Sequence, residues 1–592
     1  MQTRTSHPAR RRAALGTTLV ALSSTIALTS SAGARASVPS WPGIWLRPGN
    51  LVVATSVYQN GANIVAGTTQ LPPGCGGSSD DPCVTAVTGN QYPYVFNNDG
   101  IDASFGVTSP ITLKELTPSG RPAGSTQLSG QMVTSFSSKS ELALNLSTDG
   151  RYLTFMGYDA PAGAVDVSNS NTPGVVDPTS ADPGADYREV AQLGADGRIQ
   201  YTATNAYAGN NGRAAILNDE PGADVYYTAG NAGNGANPEP AGVISGAGAQ
   251  LITPSFLPLA WQKPGQPTPV GSFNTTEVGN PADKSGKDDN YRGIAVHDNV
   301  LYYTKGSGSN GINTVYFVDT TGTACPAGSG LPATGAKLPT TSAPAYSTDN
   351  TALGLTAKNP GLAPENMCVL KGFPTTPAKN ATDASNYPFG LWFANPDTLY
   401  VADEGAGDNT YDAATNTYTA AAASTTAGLQ KWVYDRAAGQ WNLAYTLQTG
   451  LKLGTPYSVA GYPTGLNNGP GGTGLPWAPA IDGLRNLTGQ VNPDGTVSIW
   501  AVTSTVSGNG DEGADPNQLV TITDKVAATT LPAKEGFRPV VAPADKTVVR
   551  GVSFTPDTYQ WTGDNGHGGS WNYVTDSAVV SDVPTRRGAT VR

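Results

Sequence analysis

From about residue 50 onward, short runs of alternating apolar and polar residues recur, each closed by a cluster of Gly, Pro, Asn or Asp. Alternation with period two predicts half-buried strands, and the clusters predict turns. One pairing repeats: a strand, a tight turn, then a second strand rich in Tyr, Val or Leu that ends in small polar residues. It reads ELALNLSTDGRYLTFMGYD from Glu141, RAAILNDEPGADVYYTAGN from Arg213, RGIAVHDNVLYYTKGSG from Arg292 and FGLWFANPDTLYVADEG from Phe389, with a diverged copy from Asp482. Two further strand-like runs follow most copies, such as YREVAQLGADGRIQYTATN and LQKWVYDRAAGQWNLAYTLQTG. Four strands per unit, repeated radially, predict an all-β protein built as a single β-propeller.

Both ends of the chain carry a fragment of this unit. VVRGVSFTPDT, residues 548–558, is a first strand without its partner. NLVVATSVY, residues 50–58, is a second strand without a predecessor, and ITLKELTPSG and STQLSG supply a third and a fourth. Joining the two ends completes a blade and removes open sheet edges. Five internal copies and this shared blade predict six blades, or seven if the long insertions hide a diverged one. Two β-sandwiches would leave the complementary half-units unexplained. The copies start 72, 79, 97 and 93 residues apart, more than compact propeller repeats need. The excess falls in Gly/Ala/Ser/Thr-rich insertions at residues 320–364 and 408–427, and the stretch TYTAAAASTTAG is expected to be a mobile loop.

The first residues change the setting. Arg10, Arg11 and Arg12 precede an apolar stretch from Ala13 to about Leu28, and Ala34-Arg35-Ala36 has the form of a cleavage site, so residues 1–36 read as a secretory leader. The export route, general or twin-arginine, stays open. Residues 37–558 are expected to form the propeller and 559–592 a tail. Removing residues 1–36 takes away five arginines and no acid, which moves the formal charge from −11 to −16. An acidic exported chain is unsuited to nucleic acid or an anionic membrane, no later stretch is apolar enough to span a bilayer, and a monomer is expected. In that compartment the four cysteines suggest two disulfides, Cys75–Cys83 and Cys325–Cys368 being the simplest of three pairings.

First strands of propeller blades line the central channel, so their starts share a face with the ends of the second strands. The starts are Glu141, Arg213, Arg292, Phe389, Asp482 and Arg550; the ends add Tyr158, Asp159, Asn231, Lys305, Asp403 and Glu404. In a chain with only 13 % charged residues, three arginines at one mouth suggest recognition of carboxylate, phosphate or sulfate. The competing reading is structural, with the arginines paired to Glu141, Asp289 and Asp482. Two acidic loops, GAGDNTYD and SGNGDEGADPN, bring Asp403, Glu404, Asp408, Asp511, Glu512 and Asp515 to the same face as candidate Ca²⁺ ligands, without the EF-hand spacing. His297 is expected to be a turn residue on the opposite face, and His567 lies in a Gly-rich tail. A Ser-His-Asp hydrolase, a Walker loop and a dinucleotide fingerprint all lack support.

LSTDGRYLTFMGYDAPAG and RGIAVHDNVLYYTKGSGSNGINTVYFVDT resemble a group of secreted bacterial propeller proteins without a settled activity. The chain is more remotely similar to the six-bladed gluconolactonase/SMP-30 and NHL propellers. The first of these implies a divalent cation at the channel mouth, but its metal ligands have no residue-by-residue match here. The expectation is a secreted propeller that binds a carbohydrate or anionic ligand at the mouth. The alternatives are an extracellular lyase or lactonase-like hydrolase, using Arg213, Arg292 or Arg550 with Tyr158 or an acid as base and Ca²⁺ as a cofactor, and a structural cell-surface protein.

Overall fold

The computed structural model describes residues 46–60, 63–71, 84–101, 105–128, 132–136, 141–165, 167, 186–207, 211–231, 248–258, 271–275, 290–306, 311–321, 323–324, 329–340, 365–378, 386–564, 570–575 and 590–591. The chain separates into two compact units, Met1–Ala36 and Ser37–Arg592. The expected leader, Cys75, Cys83, Cys325, Asp289 and His567 lie outside the described residues.

Described residues outside turns and loops are almost all in strands, the exceptions being short helical segments such as Tyr94–Gly100, Thr419–Ala423 and Glu512–Ala514. No described helix is long and apolar enough to cross a membrane. The strands gather into a propeller-like ring of four larger sheets, two of nine strands and two of four. The strands nearest the axis are β1 (Asn145–Leu146), β2 (Gly212–Asn218), β3 (Tyr291–His297), β4 (Pro388–Asn395), β5 (Ala480–Val491) and β6 (Thr547–Phe554).

Each of these strands touches the next. The Ala143 amide, just before β1, donates to the Arg213 carbonyl of β2 at 3.2 Å. Arg213 reaches the Tyr291 carbonyl of β3 at 2.7 Å. Gly293 of β3 lies so near β4 that a Cβ there would meet the Phe389 carbonyl at 2.1 Å. Gly390 of β4 approaches the Arg485 carbonyl of β5 in the same way. The Asn486 side chain accepts from the Val552 amide of β6 at 2.7 Å. Gly551 of β6 then packs on the Leu142 carbonyl, again 2.1 Å from an imagined Cβ, which returns the circuit to β1. Only glycine permits such backbone contact, so the glycines after Arg292, Phe389 and Arg550 are packing requirements.

The two ends of the chain meet as their half-units predict. Leu51–Val57 pairs antiparallel with β6, Leu51 opposite Phe554 and Val57 opposite Thr547. On its other side it pairs with Thr108–Leu116, which pairs in turn with Pro122–Gln127. Hydrophobic core fills the gaps between neighbouring sheets, as where Phe373 stacks on Trp432 at 3.8 Å between ring centroids.

One expectation is overturned by packing. The insertion at residues 408–427, expected to be a mobile loop, is built as a hairpin, Tyr411–Asp412 with Thr417–Tyr418, and the helix Thr419–Ala423. Tyr418 and Ala421 are buried with Ala480 and Val506. Two buried side chains in an Ala-rich stretch are enough to anchor it, a signal that composition does not show.

Candidate functional site

Two ends of the axis differ in chemistry, and the backbone determines why. In each inner strand from β2 to β6 the ladder to its neighbour skips. Ala214 pairs with Ala229 while Gly212 pairs with Gly230, which leaves Arg213 unopposed. Arg550 is passed over in the same way between Val549 and Gly551. Arg292 and Gly293, Phe389 and Gly390, and Arg485 and Asn486 each face a single partner residue. These are β-bulges, which bend a strand and re-aim a side chain. Four of the five bulges present an arginine.

β5 carries two such irregularities in succession, so its register slips relative to the other copies. Arg485, and not Asp482, occupies the position equivalent to Arg292 and Arg550. This corrects the expected start of that strand. Asp482 instead accepts from the Gly407 amide at 2.8 Å.

The arginines are buried, and their hydrogen-bond and ion-pair partners lie on other strands or in the segments beside them. Arg213 donates to the Asn290 side chain and the Tyr291 carbonyl. Glu404 lies between Arg292 at 3.4 Å and Arg485 at 3.1 Å. Arg550 bonds Ser56 of its own sheet at 3.0 Å and the carbonyls of Ser135 and Phe136 in the segment before β1. Burial, reinforced by the charge of Arg292, holds the Arg213 guanidinium well below its ordinary range. Burial pushes Arg550 down to about 10. Cations stripped of water in this way are stabilised by hydrogen bonds and carboxylates, and that is how these arginines are used.

Glu141 belongs to the same belt. Its carboxylate accepts from Thr134 and from the Ser135 amide, and pairs with Arg188 at 3.2 Å. Arg188 is wholly buried, donates to the Tyr158 hydroxyl at 2.8 Å and lies 4.3 Å from that ring's centroid. Sequence reading missed Arg188 because it sits on a third strand, away from the axis. Lys305 is buried against the Asn313 side chain at 3.0 Å, Asn231 is buried, and Asp159 is half-buried.

The acidic loops do meet: the Ser507 amide donates to Asn409 at 3.1 Å, and the Ser504 hydroxyl to the Glu404 carbonyl. Their carboxylates are occupied individually. Asp403 accepts from the Tyr387 and Gly405 amides and from Gln430. Asp408 accepts from Thr410, and Asp511 from the Gly513 amide. Asp515 accepts from Ser507 and Tyr462. Glu512 lies in the short helix Glu512–Ala514. Among the described residues no three His, Cys, Asp or Glu side chains are grouped to hold a metal ion.

The opposite end of the axis is concave. A cavity of about 520 Å³ opens there, and every inner strand contributes to it: Leu146, Ile216, Ile294, Leu391, Leu487 and Phe554 are among its apolar walls. Trp392 lines it half-buried, its ring packed against the backbone of Gly489 on β5. Short polar side chains, Asn145, Ser147, Thr148, Asn299, Thr488 and Ser553, interrupt the apolar surface.

His297 lies in this wall. It is not a turn residue: it ends β3 and pairs with Val300 across a two-residue turn. Asp298 and Asn299 form that turn with φ of 48° and 59°, the left-handed pair a tight hairpin requires. The imidazole lies flat on Phe393, centroids 4.3 Å apart and planes 1° apart, with Nε2 3.3 Å from the Asp298 carboxylate.

No protein-family model matches the chain, and no curated protein matches it. Among solved structures it is similar to a PL25 ulvan lyase bound to -[GlcA(1-4)Rha3S]-, over 68 % of this chain and 74 % of that one, at 10 % identity and a TM-score of 0.25. A second PL25 ulvan lyase structure covers 72 % and 80 %, at 10 % identity and 0.26. A chain from the S. cerevisiae complex of dbp5 with nup159 and gle1 covers 71 % and 92 %, at 7 % identity and 0.23.

Proposed function

We propose that this chain is a secreted propeller of six four-stranded blades that binds a carbohydrate in its axial cavity. The blade count draws on the six inner strands and their closed circuit of contacts, and secretion on the leader pattern of residues 1–36. The observation that carries the binding reading is the cavity itself. Its volume and its apolar walls with a few polar groups suit a small ligand, and an aromatic face beside short amide and hydroxyl side chains suits the alternating apolar and polar faces of a sugar ring.

The arginine end is read as a lock within the ring, because Arg213 bonds the next inner strand and Glu404 joins arginines of two different sheets. A second reading, an anionic ligand held by Arg213, Arg292 and Arg550, draws on the bulges that turn them to one mouth. Binding of the purified chain to a glycan array, followed by calorimetry, tests both. The cavity reading expects Trp392→Ala to weaken glycan binding by about tenfold or more and Arg213→Ala to leave it unchanged. The reverse pattern supports the mouth, and a chain that binds no glycan at all overturns both.

A further inference from the structure

We propose that the axial cavity selects a ligand bearing a cationic amine, so that among carbohydrates its partner is an amino sugar; this rests on the cavity reading above. The axis is polarised along its length. Arg213 and Arg292 are the second residues of their strands and Arg550 and Arg485 lie further along theirs, while the cavity takes in residues nearer the C-terminal end of each, Ile216, Ile294, Leu487 and Phe554. Among the described residues that line it there is no lysine or arginine, and its carboxylates are Glu220 and Asp298. Both are exposed at the rim, where an entering ligand meets them first.

The nearest cation in sequence, Arg151, follows the lining residue Gly150 but is not itself in the lining. Its guanidinium pairs with Asp149 and Asp219. His297 is the other titratable group of the wall, flat on Phe393 and next to Asp298. An ammonium group gains from both kinds of surface here: the rim carboxylates attract it, and the aromatic face of Trp392 favours a cation over a neutral group. A carboxylate or sulfate meets like charge at the rim and no described cation within, so the same arrangement rejects it. The overall negative charge of the chain adds to this discrimination without creating it, since the rim residues act within a Debye length of the ligand.

The test uses three sugars of equal length: a glucosamine trimer, its N-acetylated form, and a galacturonate trimer, titrated into the full chain by calorimetry at fixed ionic strength. The glucosamine trimer should bind about tenfold more tightly than the acetylated trimer, and the galacturonate trimer most weakly. In Glu220→Gln/Asp298→Asn the advantage of the amine over the acetylated trimer should vanish. Trp392→Ala should weaken both. Equal binding of the amine and acetylated forms, tighter binding of galacturonate, or an amine advantage that survives in the double variant would overturn the inference and leave the cavity reading intact. Failure of all three sugars to bind would overturn both.

Discussion

Gly551 of β6 packs directly on the carbonyl of Leu142, although 409 positions separate them in the chain. This contact, with the ladder from Leu51 to Phe554, closes the ring. A side chain at Gly551 would place its Cβ 2.1 Å from backbone that has nowhere to go. Gly551→Ala should therefore destabilise the fold by about 3 kcal/mol, the upper end for overpacking, read as a lower midpoint in urea. Gly469→Ala, whose Cβ would find its nearest atom at 3.9 Å, should shift the midpoint little. Equal midpoints for the two variants would refute the closure argument.

Much of this closure was legible in the sequence, because half-units at the two termini have no other economical use. The strand–turn–strand copies at Arg213, Arg292 and Phe389 begin within a residue or two of β2, β3 and β4. What the pattern could not show was register. Two successive bulges in β5 displace Arg485 by three residues from the position that counting assigns, and period-two reasoning has no means of detecting an extra residue in one strand. The cavity was also invisible, since it depends on inner-strand ends that come together only in the closed ring. His297 looked like part of a turn because the hairpin is so tight that its last strand residue abuts Asp298.

Glu404 is the shared anion of two arginines from different sheets. Glu404→Gln keeps the shape and removes the charge that Arg292 and Arg485 face. Breaking a buried pair leaves desolvated cations uncompensated, so a loss of about 3 kcal/mol is expected. The exposed pair of Arg436 with Asp397, at 2.8 Å, is geometrically better but solvated, and Arg436→Ala should change stability by less than about 0.5 kcal/mol. Chemical denaturation of both variants measures the contrast. A similar small effect for each would show that Glu404 is dispensable to the ring.

The pairing of Cys325 with Cys368 stays a prediction with a geometric motive. Cys368 is wholly buried on the strand Glu365–Leu370, and its Sγ lies 4.0 Å from the carbonyl oxygen of Ala324, the residue before Cys325. Peptide mapping of the unreduced protein should recover residues 325 and 368 in one linked species. Closing a loop of that length stabilises a fold by about 4 kcal/mol in the chain-entropy treatment, so reduction should lower the melting temperature. Recovery of Cys368 as a free thiol would dismiss the pairing.

Stability should also depend on pH in an unusual direction. Asp515 is wholly buried beside Ser507 and Tyr462, and burial pushes its carboxyl up to about 7 from the ordinary 3.8. Asp403 is pushed to about 7 by the same cause, against the pull of its amide donors. Between about 4 and 7 the folded chain thus holds protons that the unfolded chain has released. Stability falls as pH rises through that window and is lowest above 7, each group accounting for about 4 kcal/mol if the full difference is expressed. Urea midpoints taken at pH 5, 6, 7 and 8 should decline in that order. Asp515→Asn, which cannot ionise, should flatten the decline in part. A midpoint that rises toward pH 8, or a variant with the original slope, would show that these carboxyls ionise freely inside the fold.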